Sequence, residues 1–423
     1  MKKISLLLLS SLLFITSCAP NNTEEEVVQE DKQEEQTSIV PSYQLSDENY
    51  KMILPYEPSE ARGVITNQVG NRLDIDEMEE GLRRHSKEVF SPKDYLFQEG
   101  QFLEKGLLYD WLSRDLTKKQ FDKALEAAID KRKNVDKMEV TDQWLANKKE
   151  ELRRGLNPPI KDISGDMAAK DLNKAKRELE ENNPKYVTHV LEQNFLKKKE
   201  DKSVEVAGMS IGIAMKSVYT YKTEVDGKIY GPYVKEISKK EMLEKANEVA
   251  QTVLERIREM KGAKDIPIMI AIYREEDQAS PVPGNFVAKT VVDAGKEKIG
   301  DWQSIDEENI LFPSDAGKKK YFDDHEIVTS FGNEIASYFP NYVGVIGKGF
   351  YINEELQKLT LEIPIEFYGK GEVIGFTQFA YGLVKEMFSD YYDLEVKVTS
   401  SDKMESVIYR KAGSDKPTVH FFH

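Results

Sequence analysis

"VEVAGMSIGIAMKSVYTY", Val204 to Tyr221, decides how this chain is read. Within it Met209, Ile211, Ile213 and Met215 alternate with Ser210, Gly212 and Ala214, a period of two that predicts a strand. The next stretch, "EVDGKIYGPYV" (Glu224 to Val234), carries an Asp-Gly pair and predicts a hairpin. "SKKEMLEKANEVAQTVLERIREMKG" (Ser238 to Gly262) then predicts a Ser-capped amphipathic helix ending at Gly262, and "DIPIMIAIYREE" (Asp265 to Glu276) a buried strand. A related order recurs from residue 342. "YVGVIGKGFYI" and "LQKLTLEIPIEFYG" predict strands, "VIGFTQFAYGLVKEMFSDYY" a helix, and "DLEVKVTS", "ESVIYRK" and "PTVHFFH" three further strands. The fold class expected is α+β, with two degenerate βαβ-type repeats at 201–300 and 301–423. Between them Ala279 to Asp324 is rich in Pro and Gly and is expected to be a loop-like hinge.

Upstream, residues 46–200 read as a mainly helical region. "MEEGLRRHSKEVF" has helical spacing, Leu116 to Arg154 is a highly charged helical excursion ending in Gly-Leu-Asn-Pro-Pro, and Asp166 to Lys199 continues in the same style. "LPYEPSEARGVI" and "SPKDYLFQEGQFLEK" are expected to be crossing loops or short strands.

Composition excludes some functions. With 75 acidic residues against 60 basic ones and a net charge of −15, a polyanionic partner such as nucleic acid is not expected. The single Cys forbids an intramolecular disulfide.

Gly208 to Gly212 matches G-x-S-x-G, but Ser210 continues a strand rather than sitting at the sharp turn a nucleophile requires. His85, His189, His325, His420 and His423 show no metal-ligand spacing, and the acidic runs Leu73 to Glu80 and Asp323 to Glu326 complete no cation loop. Gly344 to Gly349 lacks the spacing of a phosphate loop. Trp111, Trp144 and Trp302 could line a groove but are more simply core. No enzyme activity, metal or cofactor is expected.

The amino terminus carries a different chemistry. Lys2 and Lys3 precede a run of about a dozen mostly apolar residues, Ile4 to Ile15, too short to span a bilayer and suited to a signal-peptide core. Ile15, Thr16 and Ser17 before Cys18 form a lipobox, so 1–17 is expected to be a lipoprotein signal peptide and Cys18 the site of diacylglycerol attachment. Each buried methylene of such chains contributes roughly 0.8 kcal/mol of membrane affinity. Residues 18–45 hold Glu24, Glu25, Glu26, Glu30, Asp31, Glu34 and Glu35 against one Lys and are expected to be a disordered acidic tether. The expected location is the extracytoplasmic face of the cell membrane, lipid-anchored through Cys18. The enzymes implied are a diacylglyceryl transferase and the lipoprotein signal peptidase.

Taken together, the lipobox, the tether, "LPYEPSEARG", "YLFQEGQFLEK", "LEQNF", "GMSIGIAMKSVY", "DIPIMIAIY" and "KPTVHFF" resemble the CamS family of sex-pheromone precursor lipoproteins of Gram-positive bacteria, over essentially the full length. The resemblance implies that the segment before the cysteine, Ser11, Leu12, Leu13, Phe14, Ile15, Thr16 and Ser17, is released as a hydrophobic peptide. That peptide would act on conjugative plasmid transfer through a pheromone-binding receptor. It also implies two structural repeats and no established enzymatic role for the mature domain. The alternative function is a non-enzymatic cell-surface ligand-binding or adhesion module, with a cleft where the two repeats meet.

Overall fold

The stretch around Ser210 forms a strand, Ser203–Met215, and its two faces bury different things. Met209, Ile211, Ile213 and Met215 pack with Met242, Ala246, Val253, Leu254 and Ile257 of a helix on one side. On the other side small residues let a second helix come close. A Cβ on Gly208 would lie 2.2 Å from Phe90, and one on Gly212 would lie 3.2 Å from both Met78 and Leu82. Large side chains thus meet one helix while bare backbone meets the other, so this strand is covered on both faces.

The computed structural model describes residues 26–30, 37–40, 45–46, 48–163, 167–201, 203–339, 342–367, 369–401 and 403–422. In chain order its elements begin β1 (Glu26–Glu30), β2 (Thr37–Val40), β3 (Lys51–Met52), α1 (Ile65–Gln68), α2 (Arg72–Ser86) and β4 (Leu96–Glu99). Then come α3 (Lys105–Leu112), α4 (Lys118–Asp130), a π-helical turn at Lys131–Val135, α5 (Asp142–Glu151) and α6 (Ala169–Asn182). The middle of the chain holds β5 (Val187–Lys198), β6 (Ser203–Met215), β7 (Val218–Val225), β8 (Lys228–Glu236), α7 (Lys239–Arg258), β9 (Ile268–Arg274), β10 (Asn285–Val292) and β11 (Gln303–Ser304). The last part holds β12 (Glu307–Phe312), α8 (Asp315–Lys320), α9 (Phe322–Tyr338), β13 (Ile346–Ile352), β14 (Glu355–Pro364), α10 (Lys370–Met387), β15 (Asp393–Ser400), β16 (Lys403–Arg410) and β17 (Thr418–Phe421).

One sheet has the path β11-β10-β9-β6-β5-β4-β3, and the second the path β12-β13-β14-β15-β16-β17. From β4 onward the first sheet repeats the second pairing for pairing. β4–β5 and β5–β6 are antiparallel, β6–β9 is parallel across α7, and β9–β10 and β10–β11 are antiparallel. Likewise β12–β13 and β13–β14 are antiparallel, β14–β15 is parallel across α10, and β15–β16 and β16–β17 are antiparallel. The second sheet has two layers rather than three. Phe331, Ile335, Phe376, Ala380 and Val384 of α9 and α10 cover one face, and pairs such as Lys348–Glu362 and Lys358–Glu395 lie across the other.

The mixed α+β class is found, and several boundaries expected from the sequence are corrected. The division at 200/201 falls inside an antiparallel hairpin, because β5 pairs with β6 from Val187 to Lys198. Residues 187–198 are therefore strand and not helix. "VTHVLEQNF" has β-branched residues after the Asn-Asn-Pro stop at 182–184, and its burial on both faces hides any alternation. The division at 300/301 is displaced for the same reason, since β11 still pairs with β10 in the first sheet. The expected hinge at 279–324 contains β10, β11, β12 and α8. "NFVAKTVV" is a strand buried almost throughout, and its Pro-Gly flanks masked it. The helix from Ser238 ends at Arg258, with turns leading to Gly262. Within the expected disordered tether, 18–45, β1 and β2 pair with each other, and β1 runs parallel to the start of β6. Backbone pairing to a strand end needs no apolar side chains, so composition does not reveal it. The remainder of that tether and the signal peptide, 1–17, lie outside the described residues, apart from Leu45 at the tether's end.

The charged excursion behaves as expected. Of α4, α5 and α6 only Phe121 is buried. It is fastened at its neck by Asn157, which accepts the N–H groups of Tyr186 (2.8 Å) and Val187 (2.9 Å) and donates to the carbonyls of Leu112 and Val187 (3.0 Å each).

The two sheets meet where α2 faces β12. Glu307, whose side chain is fully buried, takes both Arg84 Nη2 contacts at 3.0 Å and has His85 Nε2 3.0 Å away. The Arg84 guanidinium also lies over the Phe350 ring at 4.6 Å, and Asn309 Nδ2 donates to Gly284 O at 3.1 Å. Burial alone would raise the Glu307 pKa, but the His85 contact and the Arg84 charge outweigh it and hold the carboxyl below the ordinary glutamate range.

Two measurements check this packing. Gly208→Ala drives a methyl into Phe90 and is expected to destabilise by about 1–3 kcal/mol in urea unfolding, whereas Gly375→Ala, at an open position of α10, is expected to stabilise by about 0.5–1 kcal/mol. A Glu with a lowered folded pKa stabilises above its unfolded value and loses that contribution as pH falls through the folded one. Stability is therefore expected to drop as pH falls below about 4.5, the ordinary glutamate value. In Glu307→Gln that drop should be shallower, and stability at neutral pH lower by about 3 kcal/mol. An unchanged acid limb in the variant would show that Glu307 does not carry it.

Candidate ligand-binding cleft

A cleft of about 280 Å³ opens in the first sheet's part of the chain, bounded by the 52–65 segment, α2, β4 and the middle of β5. Three local arrangements build it. The side chain of Asn71 accepts the N–H of Leu73 at 2.9 Å, capping α2, whose close packing on β6 then presents Glu79, Glu80 and Arg83 to the cleft. Glu99 on β4 fixes the outer lip by accepting the Tyr56 hydroxyl and the Ser59 N–H (2.8 Å), with Arg62 Nε 3.7 Å away. Burial, then the hydrogen bond to Glu99, pushes the Tyr56 phenol up to about 12. Glu192 on β5 fixes the inner lip by accepting the backbone N–H groups of Gln101 (2.9 Å), Phe102 (3.1 Å) and Leu103 (2.8 Å). The turn lies so close to this side chain that a Cβ on Gly100 would come within 2.6 Å of the Glu192 Cβ and 2.7 Å of its carboxyl carbon.

The floor holds polar atoms that the protein itself does not satisfy. His189 and Gln193 are 2% and 4% exposed, and His189 Nδ1 and Gln193 Oε1 are buried without a hydrogen-bond partner. Burial drives the His189 pKa down to about 3, so the imidazole is neutral at physiological pH. Gln193 uses its Nε2 on the carbonyl of Glu79 at 2.9 Å, leaving the oxygen free. The walls alternate apolar and charged groups: Met52, Ile65 and Leu103 on one hand, Glu79 and Arg83 on the other. Burial, then the charge of Glu99, raises the Glu79 pKa. Arg83 is engaged by Glu80 and lies over Phe97 at 5.4 Å.

This is not the cleft expected where the two repeats meet, because that junction is filled by Arg84, His85, Glu307 and Phe350. Other sequence candidates are placed elsewhere. Ser210 is fully buried and accepts a hydrogen bond from Ser86 Oγ at 2.8 Å, a packing role and not a nucleophile's. Asp74 accepts from Tyr273 Oη (2.8 Å) and Gly284 N (2.6 Å), tying α2 to the strands beneath it. His325 sits 3.4 Å from Glu326, and among the described residues no three His, Cys, Asp or Glu side chains gather as metal ligands. Trp111 is core, Trp302 donates to Asn247 (2.9 Å), and Trp144 stacks with Arg132, so the cleft's aromatics are Tyr56 and Phe97 instead. The lipobox Ile15, Thr16 and Ser17, Cys18 and the Ser11 to Ser17 peptide lie outside the described residues. Sequence reading missed His189, Glu192 and Gln193 because they sit on a strand read as helix. Read as helix, their i, i+3, i+4 spacing would put all three on one face, whereas on β5 His189 and Gln193 share one face and Glu192 points to the other.

No helix among the described residues is long and apolar enough to cross a membrane. Residues 56–416 match the CamS sex pheromone cAM373 precursor family. The chain is similar to a crystal structure of a sex pheromone precursor from Lactobacillus salivarius subsp. salivarius UCC118, with 27% identity, a TM-score of 0.73, and coverage of 91% of this chain and 99% of that one. It is also similar to the C-terminal domain of the sex pheromone staph-cAM373 precursor from Staphylococcus aureus, with 27% identity, a TM-score of 0.63, and coverage of 84% and 98%. A comparison with curated proteins found no match.

Glu192→Ala is expected to remove the acceptor for three amides and to cost about 1–3 kcal/mol. Hydrogen exchange of the Gln101, Phe102 and Leu103 amides should speed up well beyond that of the β6 amides. Equal protection in both proteins would show that Glu192 does not hold the inner lip.

Proposed function

The chain belongs to the CamS sex pheromone precursor family, and on that premise we propose that it is a lipid-anchored extracytoplasmic lipoprotein whose signal segment is the source of a short hydrophobic pheromone. The observation that carries this is the placement of Ile15, Thr16 and Ser17 directly before the only Cys of 423 residues, at the end of an apolar run of about a dozen residues. In this reading a diacylglyceryl transferase alkylates Cys18 and the lipoprotein signal peptidase cuts after Ser17. Further trimming then frees Ser11 to Ser17, SLLFITS, for a pheromone-binding receptor that controls conjugative plasmid transfer. Two or more acyl chains on one residue support durable anchoring where a single chain gives only marginal binding. The folded domain stays at the membrane face while the peptide leaves. The same reading takes the two sheets as copies of one unit, supported by their identical order of pairings.

Mass spectrometry of the membrane fraction and the culture supernatant tests the reading. The mature chain is expected to begin at an acylated Cys18, SLLFITS to be present in the medium, and Cys18→Ala to remove both lipid and cleavage. Synthetic SLLFITS is expected to induce clumping or plasmid transfer in a responsive carrier. A native product that begins at Met1, or a Cys18 left unmodified after export, would overturn the proposal.

A further inference from the structure

The cleft under Glu99 has an imbalance of hydrogen-bonding groups that specifies what it lacks. Glu192 is spent on three backbone amides, Glu80 on Arg83, and Glu99 on Tyr56, Ser59 and Arg62. Glu79 makes no hydrogen bond or ion pair through its carboxylate among the described residues, although it lines the same space. Beneath it, Gln193 Oε1 is a buried acceptor without a donor; His189 Nδ1 is also unpartnered, able to donate or accept according to its tautomer. A buried unpaired carbonyl costs about 1–3 kcal/mol, and this one belongs to a side chain already held in place through its Nε2. Arg62 and Arg83 act on Glu79 through their charge alone, so its carboxylate and Gln193 Oε1 remain acceptors without a donor, which a donor carrying positive charge would satisfy. An anion is disfavoured by Glu79, and a purely apolar guest would leave Gln193 unsatisfied.

The remaining walls fix the other end of the guest. Met52, Ile65, Leu103 and Val190 give an apolar side, and the volume, about 280 Å³, lies just below the range of about 300–1,000 Å³ found for small-molecule sites. It is too small for a folded segment or a long peptide.

We propose that this cleft binds a small primary ammonium with an apolar body, the chemistry of an amino acid amide or of a peptide's free amino terminus, its ammonium at Glu79 and Gln193 Oε1 and its apolar body against Met52, Ile65 and Leu103. The site lies in the folded domain and stands whether or not the signal segment yields a pheromone. The rise in the Glu79 pKa from burial and from the charge of Glu99 agrees with a pocket that gains when a cation enters.

Calorimetry or NMR titration of the full chain with leucinamide, N-acetylleucinamide and putrescine tests the proposal. Leucinamide is expected to bind, and N-acetylleucinamide, which lacks the charge, to bind at least about ten-fold more weakly. Putrescine, which lacks the branched apolar body, should also be weaker. Glu79→Gln is expected to lower leucinamide affinity by about ten-fold or more at an unchanged melting temperature. Equal binding of leucinamide and its acetylated form, equal binding of putrescine, or no leucinamide binding up to about 10 mM would overturn the assignment. Should Glu79→Gln fail to fold, the comparison of the three probes on the unsubstituted chain decides by itself.

Discussion

The close contact between α2 and the bare face of β6 is the constraint on which the rest of the molecule depends. Gly208, Ser210, Gly212 and Ala214 leave room for Met78, Leu82, Ser86 and Phe90 to press against the sheet. Once one stripe of α2 is buried there, helical geometry assigns its other stripes. Glu79, Glu80 and Arg83 turn to the cleft, and Glu77, Arg84 and His85 turn to the second sheet. One helix thus supplies a wall of the cleft and the clasp between the two halves. A Cβ at Gly208 would meet the Phe90 ring just beyond the end of that helix.

The two sheets solve the same connectivity with different amounts of covering. In the second, α9 and α10 cover one face and charged pairs occupy the other, which gives strands such as β14 and β15 their alternating burial. In the first, helices lie on both faces, and β6, β9 and β10 are buried nearly throughout. A strand covered on both sides has no polar face to announce it.

That difference explains what could be read from the sequence. In the second half β13 to β17 were legible because their alternation survives, whereas β12 lay in the stretch read as a hinge. The β7–β8 hairpin was legible from Asp226 and Gly227, which adopt φ values of 51° and 77° as a tight hairpin turn requires. The parallel step across α7 was legible from its Ser238 cap and apolar stripe. β5 and β10 were not, since burial on two faces removes the period of two and flanking Pro and Gly suggest loops. The cleft was illegible for a further reason: Glu79, Glu99, His189 and Gln193 come from three elements spread over more than a hundred positions, and pairing of β4 with β5 is what gathers them. Ser210 was read correctly as strand because its neighbours set its environment more firmly than the motif around it.

The helical excursion between β4 and β5 shows how such a scaffold tolerates growth. Its chain leaves one strand and returns on the adjacent antiparallel one, so departure and re-entry lie side by side, and Asn157 knots the two ends together beneath Leu112 and Tyr186. Beyond that knot α4 and α5 bury a single aromatic, Phe121, while α6 is tied to the β7–β8 hairpin, its Glu180, Glu181 and Asn173 accepting the hydroxyls of Tyr219, Tyr221 and Thr223. Closing a longer loop costs only about 0.6 kcal/mol for each doubling of its length. The sheet is therefore indifferent to how much chain is spooled out in α4 and α5, and lineages could lengthen or trim that part of the appendage without disturbing the strands that bracket it.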